Sequence, residues 1–357
     1  MGIPDIDWGR SGRVDEYECW LVDAFSLEDR GKVDIDAASS GVTYAYYTDT
    51  QYSATIAVLD DIAKDSLLRL KHAVTIDGVR YGEEMGTFFA ASKSMTALHG
   101  RVSRSMDCYS TLLRHSEDSL IFTHNYYVGD NCAGILQQVV EADGGHLVFG
   151  PGAPTSRTHT VNGHWDIGTN KLEMLTTLAG WIGGEISATA HGEVQLDAYT
   201  VPSDRPVQWT FEAGRNCIYR PGFTSSEDEG DVYNRALFYY STDEGAGSAY
   251  ADLADTSPYS YARMGRHVTY SEQLGETATD GELRDKCTGF LQEHGGGAIY
   301  YEIEHAGIPG LKPGMMVRYV NDGDYPTRID AHCLVTEMSV DSLAPMCMTK
   351  TKMRAVY

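Results

Sequence analysis

Between Tyr17 and about Cys108 the chain reads with a period of two. Ile56 and Val58 alternate with Thr55 and Ala57, and Val74 and Ile76 face Val79 and Tyr81 across Asp77-Gly78. Asp-Gly tolerates the positive φ angles of a two-residue turn, so the spacing predicts a tight hairpin there. Tyr44, Tyr46, Tyr47 and Tyr52 lie among β-formers, and Met95, Leu98 and Val102 continue the pattern less regularly. The expectation is a strand meander folded as a small barrel or sandwich.

The period changes in the middle of the chain. Ile135, Leu136, Val139 and Val140 fall at helical spacing within Cys132 to Ala142 and stop at Asp143-Gly144-Gly145, which predicts a short helix. Gly150-Pro151-Gly152-Ala153-Pro154 reads as a loop. Asn170 is an N-cap residue with Glu173 three positions on, and Leu172, Leu175, Leu178, Ala179 and Ile182 follow on one face of a second helix. Ile186, Ala188 and Ala190, then Val194, Leu196 and Ala198, alternate on either side of His191-Gly192. Helix, strand, turn and strand make an α/β unit ending near Tyr199.

Past residue 227 the composition shifts to Asp, Glu, Gly and Ser. Ser225-Ser226-Glu227-Asp228-Glu229-Gly230-Asp231 and Thr242-Asp243-Glu244-Gly245-Ala246-Gly247 read as exposed loops around a strand, Ala236-Leu237-Phe238-Tyr239-Tyr240. Neither stretch has the alternating oxygen ligands, central Gly and terminal Glu of an EF-hand. Thr279-Asp280-Gly281-Glu282 is a capping box, with Leu283, Cys287, Phe290 and Leu291 at helical spacing and Gly295-Gly296-Gly297 at the close. Strands at Ile299 to Ile303, Met315 to Val320, Leu334 to Val340 and Met346 to Val356 follow, with turns at Gly310-Leu311-Lys312-Pro313-Gly314 and Asn321-Asp322-Gly323. The expected class is α+β, mainly β. It comprises a first β-barrel-like domain over residues 1–110, an α/β middle domain over 111–205, and a second β-barrel-like domain over 206–357 with acidic loops and a covering helix.

Length and charge narrow the partners. At 357 residues the chain exceeds the usual size of one core. It carries 28 Lys and Arg against 51 Asp and Glu, a formal net charge of −23. Such a surface repels phosphate backbones and anionic headgroups, which disfavours nucleic-acid capture and membrane binding. The seven cysteines, Cys19, Cys108, Cys132, Cys217, Cys287, Cys333 and Cys347, stand singly with no zinc spacing, as expected of buried thiols from a reducing compartment. No signal peptide, apolar run of spanning length, myristoylation motif or glycosylation sequon is present, so the expectation is a soluble chain made in the cytoplasm.

No P-loop, dinucleotide fingerprint, nucleophile elbow or His-Glu-x-x-His occurs. His159 and His164 flank Asn162-Gly163 near Asp166, but a third and fourth ligand at a telling spacing are missing. His191-Gly192-Glu193 echoes half of a zinc deaminase signature without its Pro-Cys-x-x-Cys partner and reads better as a hairpin turn. With 51 acids some carboxylate pair always lies at glycosidase distance, so that signal selects nothing. Trp8, Trp20, Trp165, Trp181 and Trp209 suit a sugar platform or, more commonly, buried packing. The sequence nominates no catalytic, cofactor-binding or metal residue and no cofactor.

The run Asn170 to Tyr199, a "LEML…LAGWIG" helix followed by "GEISATAHGEVQLDAY", resembles the middle domain of bacteriophage baseplate hub or tail-tip proteins. The helix "DGELRDKCTGFLQEH", a strand and "GIPGLKPGMMVRYV" are similar to the C-terminal part of those hubs, with Met315 where their turn carries an acid. The resemblance runs from about Tyr17 to the end and is carried by the order of elements.

The resemblance implies a virion tail protein, made in the host bacterial cytoplasm and without enzymatic activity. It further implies a homotrimeric ring in which two β-barrels per subunit present a pseudo-sixfold surface. A distal tail or tube protein would lie above, tip or fibre proteins below, and DNA would pass transiently through an acidic lumen without a membrane anchor. Two alternatives stand beside it at this stage: a cell-wall or glycan hydrolase at the tail tip, and a carbohydrate- or receptor-binding module. With the sequence ending at Tyr357, the expectation is that any hydrolase or receptor-binding domain comes from another chain.

Overall fold

Alternating apolar positions pair across hairpins, and the strands they form set the architecture. The computed structural model describes every residue except 1, 2, 4, 5, 99, 100, 213–221, 229–231, 243, 244, 258, 276, 296, 297, 324–327, 346 and 357. Parts of the expected acidic stretches, the end of the Gly295-Gly296-Gly297 run, Met346 and Cys217 lie outside the described residues. The chain begins with β1 (Val14–Val22), β2 (Asp29–Val33), β3 (Gly41–Ala45), β4 (Tyr52–Val58), β5 (Leu67–Ile76), β6 (Val79–Leu98) and β7 (Arg101–Ser110). The middle has α1 (Leu113–Ser116), β8 (His124–Tyr126), α2 (Cys132–Ala142), β9 (Leu147–Phe149), β10 (Gly163–Trp165), α3 (Lys171–Trp181), β11 (Gly184–Ala188) and β12 (Val194–Ala198). The remainder is β13 (Val207–Glu212), β14 (Thr224–Asp228), β15 (Arg235–Thr242), β16 (Gly245–Asp252), α4 (Tyr261–Met264), β17 (Thr269–Leu274), α5 (Asp280–His294), β18 (Ala298–Ala306), β19 (Met316–Asp322), β20 (Arg328–Val340) and β21 (Met348–Val356).

The mainly β, α+β class is what the chain adopts, and the local signals work as read. Val74 pairs with Tyr81 and Ile76 with Val79 across Asp77 (φ 52°) and Gly78 (φ 78°). Asn170 accepts a hydrogen bond from the Glu173 backbone N–H, and Thr279 with Glu282 forms a complete capping box. Each such cap contributes about 1 kcal/mol.

The two strand meanders are one surface. Thirteen strands join in a single sheet, ordered β14, β18, β21, β20, β3, β4, β7, β6, β5, β1, β2, with β19 against β20 and β13 against β19. β20 makes the join, because residues 328–334 pair with β19 whereas residues 337–340 pair with β3. The register along β21 shifts between Val335 and Glu337, leaving Thr336 as an extra residue. The Thr336 carbonyl accepts from Tyr46 N–H at 2.9 Å and its hydroxyl donates to the Lys352 carbonyl at 3.1 Å. The first half curls until the chain after β2 returns to β4, where Ile35 bridges Val58 and Asp36 N–H donates to the Ala57 carbonyl. That contact is an isolated bridge, and no described sheet closes into a barrel. The barrel-like expectation is corrected to open, curled sheets.

Two further expectations change. Ser225 to Asp228 belongs to strand β14 at the edge of the large sheet, where Ser and Thr suit an exposed strand and antiparallel pairing to β18 holds the backbone. Helix α5 covers a separate three-stranded sheet, β16, β15, β17, rather than the last meander. Its apolar stripe Leu283, Cys287 and Leu291 packs on Ala236, Phe238 and Leu274, each burial contributing up to ~1.5–3 kcal/mol.

The middle unit holds an internal duplication at an offset of 39 residues, which the sequence reading missed. β8 corresponds to β10, α2 to α3, and the β9 segment to the end of β11. Asn131 and Asn170 cap the two helices alike, and Gly129 with Gly168, then Gly144 with Gly183, share positive φ angles. The halves exchange equivalent contacts: Cys132 N–H donates to the Arg157 carbonyl as Lys171 N–H does to Asp118, and β8 pairs antiparallel with β10. Leu136, Val140, Met174, Leu175 and Leu178 fill the core between them.

The join is testable at Gly41. A Cβ there would lie 2.8 Å from the Val340 carbonyl oxygen and 3.1 Å from that of Asp341, both backbone atoms. Gly41→Val is expected to destabilise the protein by about 1–3 kcal/mol. Gly31→Ala, where a Cβ meets nothing within 4 Å, should stay within about 0.5 kcal/mol by denaturant unfolding.

Candidate functional site

The polar side chains that the fold gathers lie at seams between its parts. The first seam docks the β11–β12 hairpin of the middle unit on the large sheet. Gln51, placed at the β3–β4 turn, donates from Nε2 to the Ile186 carbonyl at 2.8 Å and accepts from Ala188 N–H at 2.9 Å, acting as an added peptide group beside β11. Tyr52 OH donates to the Thr189 carbonyl, Thr87 Oγ1 to Ala190 and Arg69 Nη2 to His191, at 2.8–2.9 Å. Gly192 is required here: its φ is 103° and a Cβ would meet Thr87 at 3.1 Å.

Arg69 is the anchor, only 1% exposed. Its guanidinium also donates to Thr87 Oγ1 at 3.0 Å, Asp29 Oδ1 at 2.7 Å and the Leu27 carbonyl at 2.9 Å. A buried cation is tolerated because its donors are spent on oxygens fixed by the fold.

The second seam faces the loop that precedes β19. Asp15 receives Arg13 Nε at 2.9 Å and Nη2 at 2.6 Å, and His72 Nε2 at 2.8 Å. Tyr17 stacks on the His72 ring at 4.5 Å, His72 Nδ1 lies 3.6 Å from Glu83, and Glu83 accepts from Gly310 N–H at 2.6 Å. Burial acts to raise the Asp15 pKa, but the hydrogen bonds from His72 and Arg13 outweigh it and hold the carboxyl at about 2. Burial acts to lower His72, and hydrogen bonds with Asp15 and Glu83 win, so its pKa is raised. These groups form a closed ion-pair network that ties β1, β5 and β6 to the later loop.

The residues weighed for chemistry do not converge. His159 is buried and stacked on Tyr126 at 4.1 Å, whereas His164 is exposed with Asp166 at 3.3 Å. Among the described residues no group of three His, Cys, Asp or Glu could hold a metal ion. His191-Gly192 is the turn between β11 and β12. Trp8 and Trp209 are buried, Trp20 donates to Glu18, and Trp165 and Trp181 stack on one another at 5.2 Å, so no shared platform forms. Cys19, Cys108, Cys132, Cys287 and Cys333 are buried, and burial pushes Cys19 and Cys333 up to about 12. A groove of about 460 Å³ at Arg318, Asp330, Ala331, His332 and Val356 has its charges spent on the Arg318–Asp330 pair. No described helix is long and apolar enough to cross a membrane.

Both seams predict measurable behaviour. Arg69→Met leaves Asp29 and two carbonyls short of donors and should cost about 3 kcal/mol, with faster hydrogen exchange confined first to residues 184–198. For the second seam, His72 has a raised folded pKa, so its contribution is full below about pH 6.5 and fades as pH rises through the folded value. Asp15, with a depressed pKa, contributes above about pH 4 and loses that contribution toward pH 2. The gap in Tm between wild type and His72→Gln is therefore expected to be widest near pH 5 to 6 and to narrow toward pH 8.5.

No family model and no curated protein matches the sequence. Solved structures do match the fold. The tail protein from Neisseria meningitidis MC58 aligns over 95% of this chain and 96% of its own at 11% identity, with a TM-score of 0.64. The 43 kDa tail protein of prophage MuSo2 from Shewanella oneidensis aligns over 95% and 98% at 12% identity, TM-score 0.61. An E. coli protein described as a type VI secretion component with similarity to the T4 tail proteins gp27 and gp5 aligns over 91% and 74% at 10% identity, TM-score 0.52. From the curled sheet to the middle unit, this chain has the tail-hub-like fold of phage tail proteins.

Proposed function

We propose that this chain is a structural component of a phage tail tip or baseplate, a hub subunit that joins the tail tube to the distal tip. The observation that carries this reading is the near-complete mutual coverage with phage tail proteins, which leaves almost no part of either chain for another architecture. In this reading residues 1–110 and 206–357 supply two ring-forming β units per subunit, and residues 111–205 form an appended α/β unit. Three copies close into a ring beneath a tube or distal tail protein and above tip or fibre proteins, located in the virion tail. The net charge of −23 suits a channel that DNA traverses without sticking. The role is non-enzymatic, in keeping with titratable groups committed to structural seams.

Light scattering of the purified chain across a concentration series tests the proposal. The expected mass is three times 39.2 kDa. A strict monomer at micromolar concentration with no affinity for tail proteins would overturn it.

A further inference from the structure

β6 and β7 outrun their neighbours. β5 accompanies β6 only to the Leu67–Phe89 pair, and β4 accompanies β7 only from Arg104 onward. The β6–β7 ladder nevertheless continues through Ser94–Ser105 and Thr96–Ser103 to Leu98–Arg101. Ser92 to Leu98 thus has no strand on its outer edge among the described residues, and Ser92 to Ala97 are exposed. At about 3.3 Å per residue the ribbon projects roughly 20 Å. The loop after β4 covers only its root, where Lys93 Nζ reaches Asp61 at 2.5 Å and the Ile62 carbonyl at 2.7 Å. A two-stranded ribbon is marginal by itself in water, and an unpaired edge is a template for another chain.

The arm has the wrong charge for its own chain. Between Ala91 and Met106 the bases are Lys93, Arg101 and Arg104 and there is no Asp or Glu, in a chain with 51 acids; Lys93 and Arg104 meet Asp61 at the root, and Arg101 stands at the far end of the ladder. The sheet's terminal strand β14 is the opposite: its sequence Thr-Ser-Ser-Glu-Asp is acidic, and among the described residues it pairs with β18 alone. Neither edge contains proline, and six strands lie between β14 and β6 in the sheet order, so the two are separate surfaces.

We infer that the basic β6–β7 arm of one copy adds as a strand to the acidic β14 edge of a second copy, carrying the sheet across the subunit boundary. Backbone ladder bonds hold the pair, and opposite charge selects arm against β14 over arm against arm. Such a contact joins two different patches, the kind that closes rings. The inference rests on the ring reading above and names its contact.

The experiment combines charge exchange with site-directed cross-linking on the full-length chain. Arg101→Glu, and separately Glu227→Lys with Asp228→Lys, should each weaken assembly at least tenfold by light scattering, and the three changes together should restore it. Under mild oxidation, Ser94→Cys or Thr96→Cys combined with Ser226→Cys should give disulfide-linked species that stop at the trimer, while the single variants give none; circular dichroism checks that each variant folds. A trimer that shows no cross-link at either position and ignores charge exchange would overturn this contact and leave the hub reading standing. Dimers from Thr96→Cys alone would overturn it in favour of arm-to-arm pairing. A wild-type chain that is monomeric throughout would overturn both.

Discussion

One strand holds the molecule together. β20 is thirteen residues long and serves two partners on one edge, β19 along its first part and β3 along its last, with β21 on the other side from His332 to Val340. The change of partner needs an extra residue, supplied by Thr336, and a close approach, supplied by Gly41 beneath the Val340 carbonyl. A bulge bends its strand and increases the twist, so the two half-sheets leave β20 in different directions while sharing one hydrogen-bonded ladder. The core follows from this. Val74 and Ile76, from the first half, pack in the same cluster as Phe211, Val317, Tyr319 and Met353 from the second.

The remaining parts are fixed to that frame by polar contacts. The middle unit carries its own apolar core across the duplicated α2 and α3, and meets the sheet through Gln51, which bonds the Ile186 carbonyl and the Ala188 N–H, and through Tyr52, Thr87 and Arg69, which take the consecutive carbonyls of Thr189, Ala190 and His191. Buried hydrogen bonds of this kind add little net stability each, but leaving one unmade is costly, so they specify orientation more than they glue. The Asp15, His72 and Glu83 network does the same for the loop before β19.

Helices were the most legible features because their signals are local. Asn170 with Glu173, Thr279 with Glu282 and the Asp77-Gly78 turn each act within a few residues, and the structure places caps and turn where spacing puts them. Residues 225–228 were misread as loop because an edge strand needs no apolar alternation where its side chains meet solvent, as those of Ser225 and Ser226 do. The middle duplication escaped notice although Gly129-Asp130-Asn131 and Gly168-Thr169-Asn170 carry it and the apolar positions Leu136, Val139 and Val140 recur as Leu175, Leu178 and Ala179, since few of the paired residues are identical and any amphipathic helix shows such spacing. Nothing in the sequence singled out Arg69 or His72; both are buried, and Arg69 bonds a carbonyl 122 positions away.

The sequence by itself determined the mainly β class, the hairpins and helices, the strong negative charge and the resemblance to tail hubs, because period, cap chemistry and composition are properties of short stretches. Tertiary structure alone decided that two meanders form one open sheet, that α5 serves a different sheet, that Arg69 is an anchor, and that a basic arm and an acidic edge have no outer strand among the described residues. These outcomes turn on which distant strands share hydrogen bonds. Backbone N–H and C=O groups are the same in every residue except proline, which lacks the N–H, so the sequence does not label their partners.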